Sequence, residues 1–183
     1  MNKKDLLIFR DAKIMRSYDK NTRQQNSPNF EGRGLEMNNE GNRNFCFFID
    51  DPEMAKEMLA NGWNIKTLPR DPGPDDEVSY FVQVNVKYRN RFGDPVYYPP
   101  EVYLVKPGKA PTPLDENSIG SLDKKRIKKI DLVLNPSVKE DGSVKGYVRE
   151  LYVTTEDSIL ASEFAANEHP EDDLAPGDDP FGM

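Results

Sequence analysis

The strongest apolar strand signal is Arg43-Asn44-Phe45-Cys46-Phe47-Phe48-Ile49. In an extended chain Arg43, Phe45, Phe47 and Ile49 share one face, and Asn44, Cys46 and Phe48 share the other. Phe45 and Phe47 are expected in the core. Tyr80 to Tyr88 alternates without a break. Tyr80, Val82, Val84, Val86 and Tyr88 fall on one side, with Phe81, Gln83, Asn85 and Lys87 on the other. That pattern marks a half-buried antiparallel strand. Further strands are predicted over 5–16, where both faces carry apolar groups, and over 64–68, 102–106, 129–134 and 144–153. Ile130, Leu132 and Leu134 share a face of the 129–134 strand. Glu140-Asp141-Gly142-Ser143 carries the turn signal of a hairpin joining the last two.

Asp51-Pro52 has the residue types of a helix N-cap and first turn. Met54, Ala55, Met58 and Leu59 follow at the spacing of one buried stripe. Gly62 suits the left-handed position just past the helix end. Trp63 comes next and is read as a packed anchor. Residues 17–42 are polar except at Tyr18, Pro28, Phe30, Leu35 and Met37, the composition of a long loop or mobile arm. Residues 69–77 and 107–113 read as loops, and 115–123 as one or two helical turns. No strand–helix–strand alternation runs along the chain, which argues against a parallel sheet. The expected fold is mainly β: an OB-like small antiparallel barrel with one short helix, long loops and a disordered acidic tail. A β-sandwich would use the same elements, since strand order is not written in periodicity.

Charge divides the chain. Of its 32 acids, nine fall in residues 156–183, which contain no Lys or Arg. Residues 1–155 keep 23 acids against all 25 cations, so a mildly basic body is joined to a strongly acidic tail. The expected organisation is therefore a nucleic-acid-binding domain over 1–155 and a disordered tail over 156–183. The chain has one cysteine, Cys46, and one histidine, His169. That excludes an internal disulfide, a multi-cysteine metal site and most histidine-based catalysis. No apolar run is long enough to span a bilayer, and Leu6 to Phe9 is too short for a signal peptide. A cytoplasmic protein is expected. There is no Gly-Lys phosphate loop. Asp71-Pro72-Gly73-Pro74-Asp75-Asp76 has two prolines and lacks the glutamate of a calcium loop, so it reads as a solvated turn. Neither cofactor, metal nor catalytic residue is expected.

Three segments carry candidate chemistry. Lys87-Tyr88-Arg89-Asn90-Arg91-Phe92 alternates rings with cations where a strand becomes a loop. Single-stranded nucleic acid requires that mixture, cations for its phosphates and rings for its unpaired bases. Lys145, Tyr147 and Arg149 share one face of the last strand and form a second candidate platform, which Arg43 extends. The third segment is the tail, where Asp178, Asp179, Pro180 and Phe181 place a lone ring among carboxylates. Such a segment suits docking of the ring in an apolar pocket with a basic rim. It could also cover the protein's own basic groove in competition with nucleic acid.

The Asp178-Asp179-Pro180-Phe181 ending is similar to the acidic tails of bacterial single-stranded DNA-binding proteins and their phage counterparts. Asn42-Arg43-Asn44-Phe45, the short helix after it and Gly62-Trp63-Asn64 also resemble small phage proteins of this kind. The bacterial tails end in Phe, whereas here Gly182 and Met183 follow Phe181. The resemblance implies an OB-fold body that binds single-stranded DNA without catalysis. It also implies a tail that recruits replication, recombination or repair proteins. The competing readings are a non-enzymatic phage adaptor acting through the tail alone, and a magnesium-dependent nuclease built on Asp and Glu.

Overall fold

A computed structural model describes residues 2–16, 18–19, 24–25, 27–34 and 38–156, with the backbone alone at 18–19 and 24–25. In chain order the elements are β1 (Leu7–Ala12), β2 (Tyr18–Asp19), β3 (Gln24–Gln25), β4 (Arg43–Ile49), α1 (Pro52–Ala60) and β5 (Ile65–Leu68). They continue with β6 (Ser79–Val86), β7 (Glu101–Val105), β8 (Thr112–Leu114), a 3-10 helix (Ile119–Lys124), β9 (Ile127–Val138) and β10 (Val144–Thr155). The molecule is mainly β. One eight-stranded sheet runs β1-β9-β10-β6-β4, with β5 on β6, β7 on β10 and β8 on β7. β2 and β3 pair separately.

The sheet is barrel-like, but no continuous ladder closes it among the described residues. Its ends meet just beyond β1, at an isolated bridge between Ile14 and Phe47. There the Met15 N–H donates to the Cys46 carbonyl at 2.8 Å, and the Phe48 N–H to the Lys13 carbonyl at 2.9 Å. The pairing is also mixed. β10 runs parallel to β6 at Tyr147–Asn85 and parallel to β7 from Glu150–Glu101 to Thr154–Val105. Parallel neighbours need a crossover. Here the chain crosses through β7, β8 and β9 rather than a helix, so the pattern that would have announced it is absent.

The alternating faces fall where the periodicity puts them. Phe45, Phe47, Val82, Val84, Val86, Ile130, Leu132 and Leu134 are all buried in one core. Each such side chain contributes roughly 1.5–3 kcal/mol on leaving water. The back of β4 and β6 is covered too, because Met15 packs there with Cys46 and Phe81. Burial pushes the Cys46 thiol up to about 11, the behaviour of an inert core cysteine. β9 runs on through Pro136, past the expected end at 134. β1 reaches only Leu134, so Pro136 has one strand neighbour and its missing N–H is tolerated there.

The Asp51 carboxylate accepts the Glu53 N–H at 3.0 Å and caps α1, with Pro52 in its first turn. Met58 and Ala55 face inward and Met54 is partly buried, but Leu59, expected on the same stripe, is exposed. Gly62 has φ +100°, and a Cβ there would collide with the Gly142 carbonyl. The Val144 N–H donates to the Gly62 carbonyl at 2.9 Å, tying the helix end to the β9–β10 hairpin.

Within 17–42, residues 28–33 are anchored rather than a mobile arm. Asn29 is buried, and its side-chain oxygen accepts the Gly32 and Arg33 N–H groups at 3.1 and 2.9 Å. The Asp123 carboxylate accepts the Phe30 and Glu31 N–H groups at 2.8 and 3.0 Å, and Phe30 is fully buried beside Phe45. The anchors are side-chain bonds to backbone, and these leave no periodic trace in a sequence.

Candidate nucleic-acid interface

β6 and β7 take successive lengths of the same edge of β10. β6 meets it at Tyr147, a bulge lies between Val148 and Glu150, and β7 takes over from Glu150. Residues 87–100 are the excursion between the two strands. Where they leave the sheet, the ends of β6 and β4 and the start of β10 surround an open groove of about 530 Å³. Its lining includes Arg43, Lys87, Tyr88, Arg89, Arg91, Lys145 and Tyr147, together with Asn42, Asn85, Asn90 and two acids, Glu40 and Glu116. Residues from four separate sequence segments thus converge on one concavity.

The cations differ in their freedom. Arg89 is committed: its Nε donates to Glu116 Oε1 at 2.7 Å and its Nη1 to the Gly93 carbonyl at 2.9 Å. The hydrogen bond and charge of Glu116 push the guanidinium pKa up from its ordinary value. Among the described residues Arg43 reaches only two carbonyls, at the limit of hydrogen bonding, Glu116 at 3.3 Å and Gly41 at 3.5 Å. Lys87, Arg91 and Lys145 are exposed, and no carboxylate pairs with them among the described residues. The Lys87 ammonium lies 5.5 Å from the Tyr147 ring centroid, and the Arg91 guanidinium 4.7 Å from that of Phe92. Both arrangements hold a cation beside a ring.

The rings differ as well. Tyr88, two residues past the end of β6, continues that strand's inward face and is only 8% exposed. It closes the end of the core, with the Arg43 guanidinium 5.4 Å from its centroid. Burial pushes its hydroxyl up to about 12, the nearby Arg43 charge acting against that rise. Tyr88 therefore offers no open stacking face, and its place in the groove is to support Arg43. Tyr147 is half-buried and keeps a face toward the groove residues. Phe92 and Arg149 do not line the groove. Phe92 is 73% exposed on the excursion, and Arg149 is exposed at the β10 bulge.

Trp63 is 3% exposed and lies behind the groove floor. A Cβ on Gly146, between Lys145 and Tyr147, would come within 2.6 Å of its ring. The periodicity did not point to Tyr97 and Tyr98, the most exposed rings in the described structure at 87% and 86%. Their signal was two adjacent tyrosines in a proline-bounded loop with no alternation to bury them. A second partly buried tyrosine pair, Tyr103 and Tyr152, is stacked at 4.8 Å across β7 and β10. It stands near Glu101 and Glu150; burial foremost, then Tyr103 and the Glu150 and Glu101 charges, raise the Tyr152 pKa. Among the described residues no group of three or more His, Cys, Asp or Glu side chains is placed to hold a metal ion, and no helix is long and apolar enough to cross a membrane.

A sequence model for a family described as "putative phage ssDNA-binding domain" matches residues 21–179. The chain belongs to that family. Membership of the phage ssDNA-binding domain family makes single-stranded DNA the ligand against which the groove is to be read. No curated protein and no solved structure matches the chain. Asp178, Asp179, Pro180 and Phe181 lie outside the described residues.

Proposed function

We propose that the groove at the end of β6 is where single-stranded DNA lies, and that the protein shields exposed strands without catalysing a reaction. The observation carrying this reading is that Lys87, Arg91 and Lys145, cations with no carboxylate partner among the described residues, line one groove with the half-buried ring of Tyr147, beside which the Lys87 ammonium lies. The cations neutralise successive phosphates and release their counterions. Tyr147 offers its ring to a base, an interaction open to every base because each has a π face. A duplex keeps its bases stacked on one another and can use only the cationic half of the site. We further propose that the acidic tail, with Asp178, Asp179, Pro180 and Phe181 as its contact, recruits replication or recombination proteins of the host cell cytoplasm.

Tyrosine fluorescence, titrated with oligo-dT and with duplex of equal length, tests the reading. Trp63 is buried, so tyrosine emission is the reporter to follow. Binding to oligo-dT should exceed binding to duplex by about tenfold or more, one stacked base accounting for such a factor. Both affinities should fall as salt rises. Equal affinity for the two would overturn the stacking half of the proposal, and no binding to oligo-dT would overturn all of it.

A further inference from the structure

Tyr97 and Tyr98 fill no core position, yet the loop that carries them is held in shape. The Asn90 side-chain oxygen accepts the Phe92 and Asp94 N–H groups at 2.9 and 3.0 Å, and the Asn90 N–H donates to the Asp94 carbonyl at 2.8 Å. Arg89 and Pro95 form a bridge, and the Val96 N–H donates to the Tyr88 carbonyl at 2.9 Å. Tyr97 is therefore one residue past the backbone partner of Tyr88, itself a groove residue, although neither Tyr97 nor Tyr98 lines the groove. The two rings meet edge to face, with centroids 4.7 Å apart and planes at 84°. Holding large apolar rings in water has no folding benefit, and grouped exposed rings mark a binding surface. Arg91 and Lys87 lie on the same excursion, and the only acid among residues 87–100 is Asp94. That balance favours a phosphate-bearing ligand over an acidic protein.

We infer that Tyr97 and Tyr98 form a second base-stacking contact, which takes the bases of single-stranded DNA as the strand passes out of the groove. The inference rests on the reading of the groove as the single-strand site. It extends that site from a cationic cleft to a longer track, in which the groove holds phosphates and the loop holds bases. Rigid rings suit the task, because little freedom is lost when a base stacks on them.

The test uses the full chain carrying Tyr97→Ala and Tyr98→Ala together, and a second variant carrying Tyr97→Phe and Tyr98→Phe. Each is titrated with oligo-dT and with an oligonucleotide of the same backbone length that lacks bases. The alanine variant should lose about tenfold in affinity for oligo-dT and nothing for the abasic strand. The phenylalanine variant should match the unaltered protein on both. Unchanged oligo-dT binding by the alanine variant would overturn the inference and leave the exposed rings as a protein-docking surface. An equal loss on both strands would overturn it too, since a stacking contact cannot weaken a strand without bases. If Lys87→Ala weakened oligo-dT binding while the alanine variant of Tyr97 and Tyr98 bound as the unaltered protein does, the groove would stand while this contact fell. Absence of binding by the unaltered protein would overturn both.

Discussion

Replacing Lys87, Arg91 and Lys145 together by alanine is expected to weaken oligo-dT binding by on the order of a hundredfold at moderate salt, each lost charge-assisted contact contributing about 1–2 kcal/mol at most. All three side chains are exposed, so the fold should be unaffected and the melting temperature unchanged. The salt dependence carries the more specific signature. For single strands the logarithm of affinity falls with the logarithm of salt at about 0.7 per neutralised phosphate, so losing three contacts should flatten that slope by about 2. Arg89→Ala should behave differently. Its guanidinium is held by Glu116 and the Gly93 carbonyl, so its removal should loosen the excursion more than it removes a phosphate contact. A triple variant that bound as tightly as the unaltered protein, with the same salt slope, would place the strand elsewhere.

The largest effect on stability is expected from Gly146→Val. Gly146 stands between two groove residues, and the Trp63 ring lies where its side chain would go. The first added carbon would already meet that ring at 2.6 Å and Val84 at 3.1 Å. Trp63 is enclosed on its other sides by core, and Val84 belongs to a central strand. Overpacking of this kind costs about 3 kcal/mol, which lowers the melting temperature of a domain this size by about 10 °C. Gly146→Ala should cost less. Combining it with Trp63→Phe should recover part of the loss, because the outer part of the indole that meets Gly146 is gone and the smaller phenyl ring reaches less far. An unchanged melting temperature for Gly146→Val would mean that Trp63 does not pack against β10.

The fold was legible wherever burial is periodic. β4, β6, β9 and β10 each bury one alternating face, and Asp51, Pro52 and Gly62 mark the helix ends by backbone chemistry. Illegible parts were those made by other means. Asn29 and Asp123 fix the 28–33 segment through polar bonds to backbone, which look like loop composition in a sequence. β8 has only three residues, and the parallel approach of β10 to β6 and β7 depends on the long return through β9. For the groove, charge and ring alternation at 87–92 and on β10 points to four of its five cations and to Tyr147. Tyr88 lies on the face of Val82, Val84 and Val86, as alternation places it, so the ring that the 87–92 composition offers for stacking is buried instead. It faces the core, and its proximity to Arg43 is a consequence of both residues lying on inward faces where the sheet runs out. Tyr97 and Tyr98 escaped because an irregular loop has no period from which exposure can be read.

In the proposed function, single-stranded DNA occupies the face where β6 leaves the sheet. Ultraviolet crosslinking of oligo-dT to the full chain, followed by mass spectrometry of the modified peptides, tests that placement most directly. The protein carries its own control in Tyr103 and Tyr152, a stacked pair beside Glu101 and Glu150 that phosphates should avoid. Adducts are predicted on Tyr147 and on the excursion rings, and to vanish when Lys87, Arg91 and Lys145 are replaced. Adducts confined to Tyr103 and Tyr152, with Tyr147 and the excursion unmodified, would contradict the account.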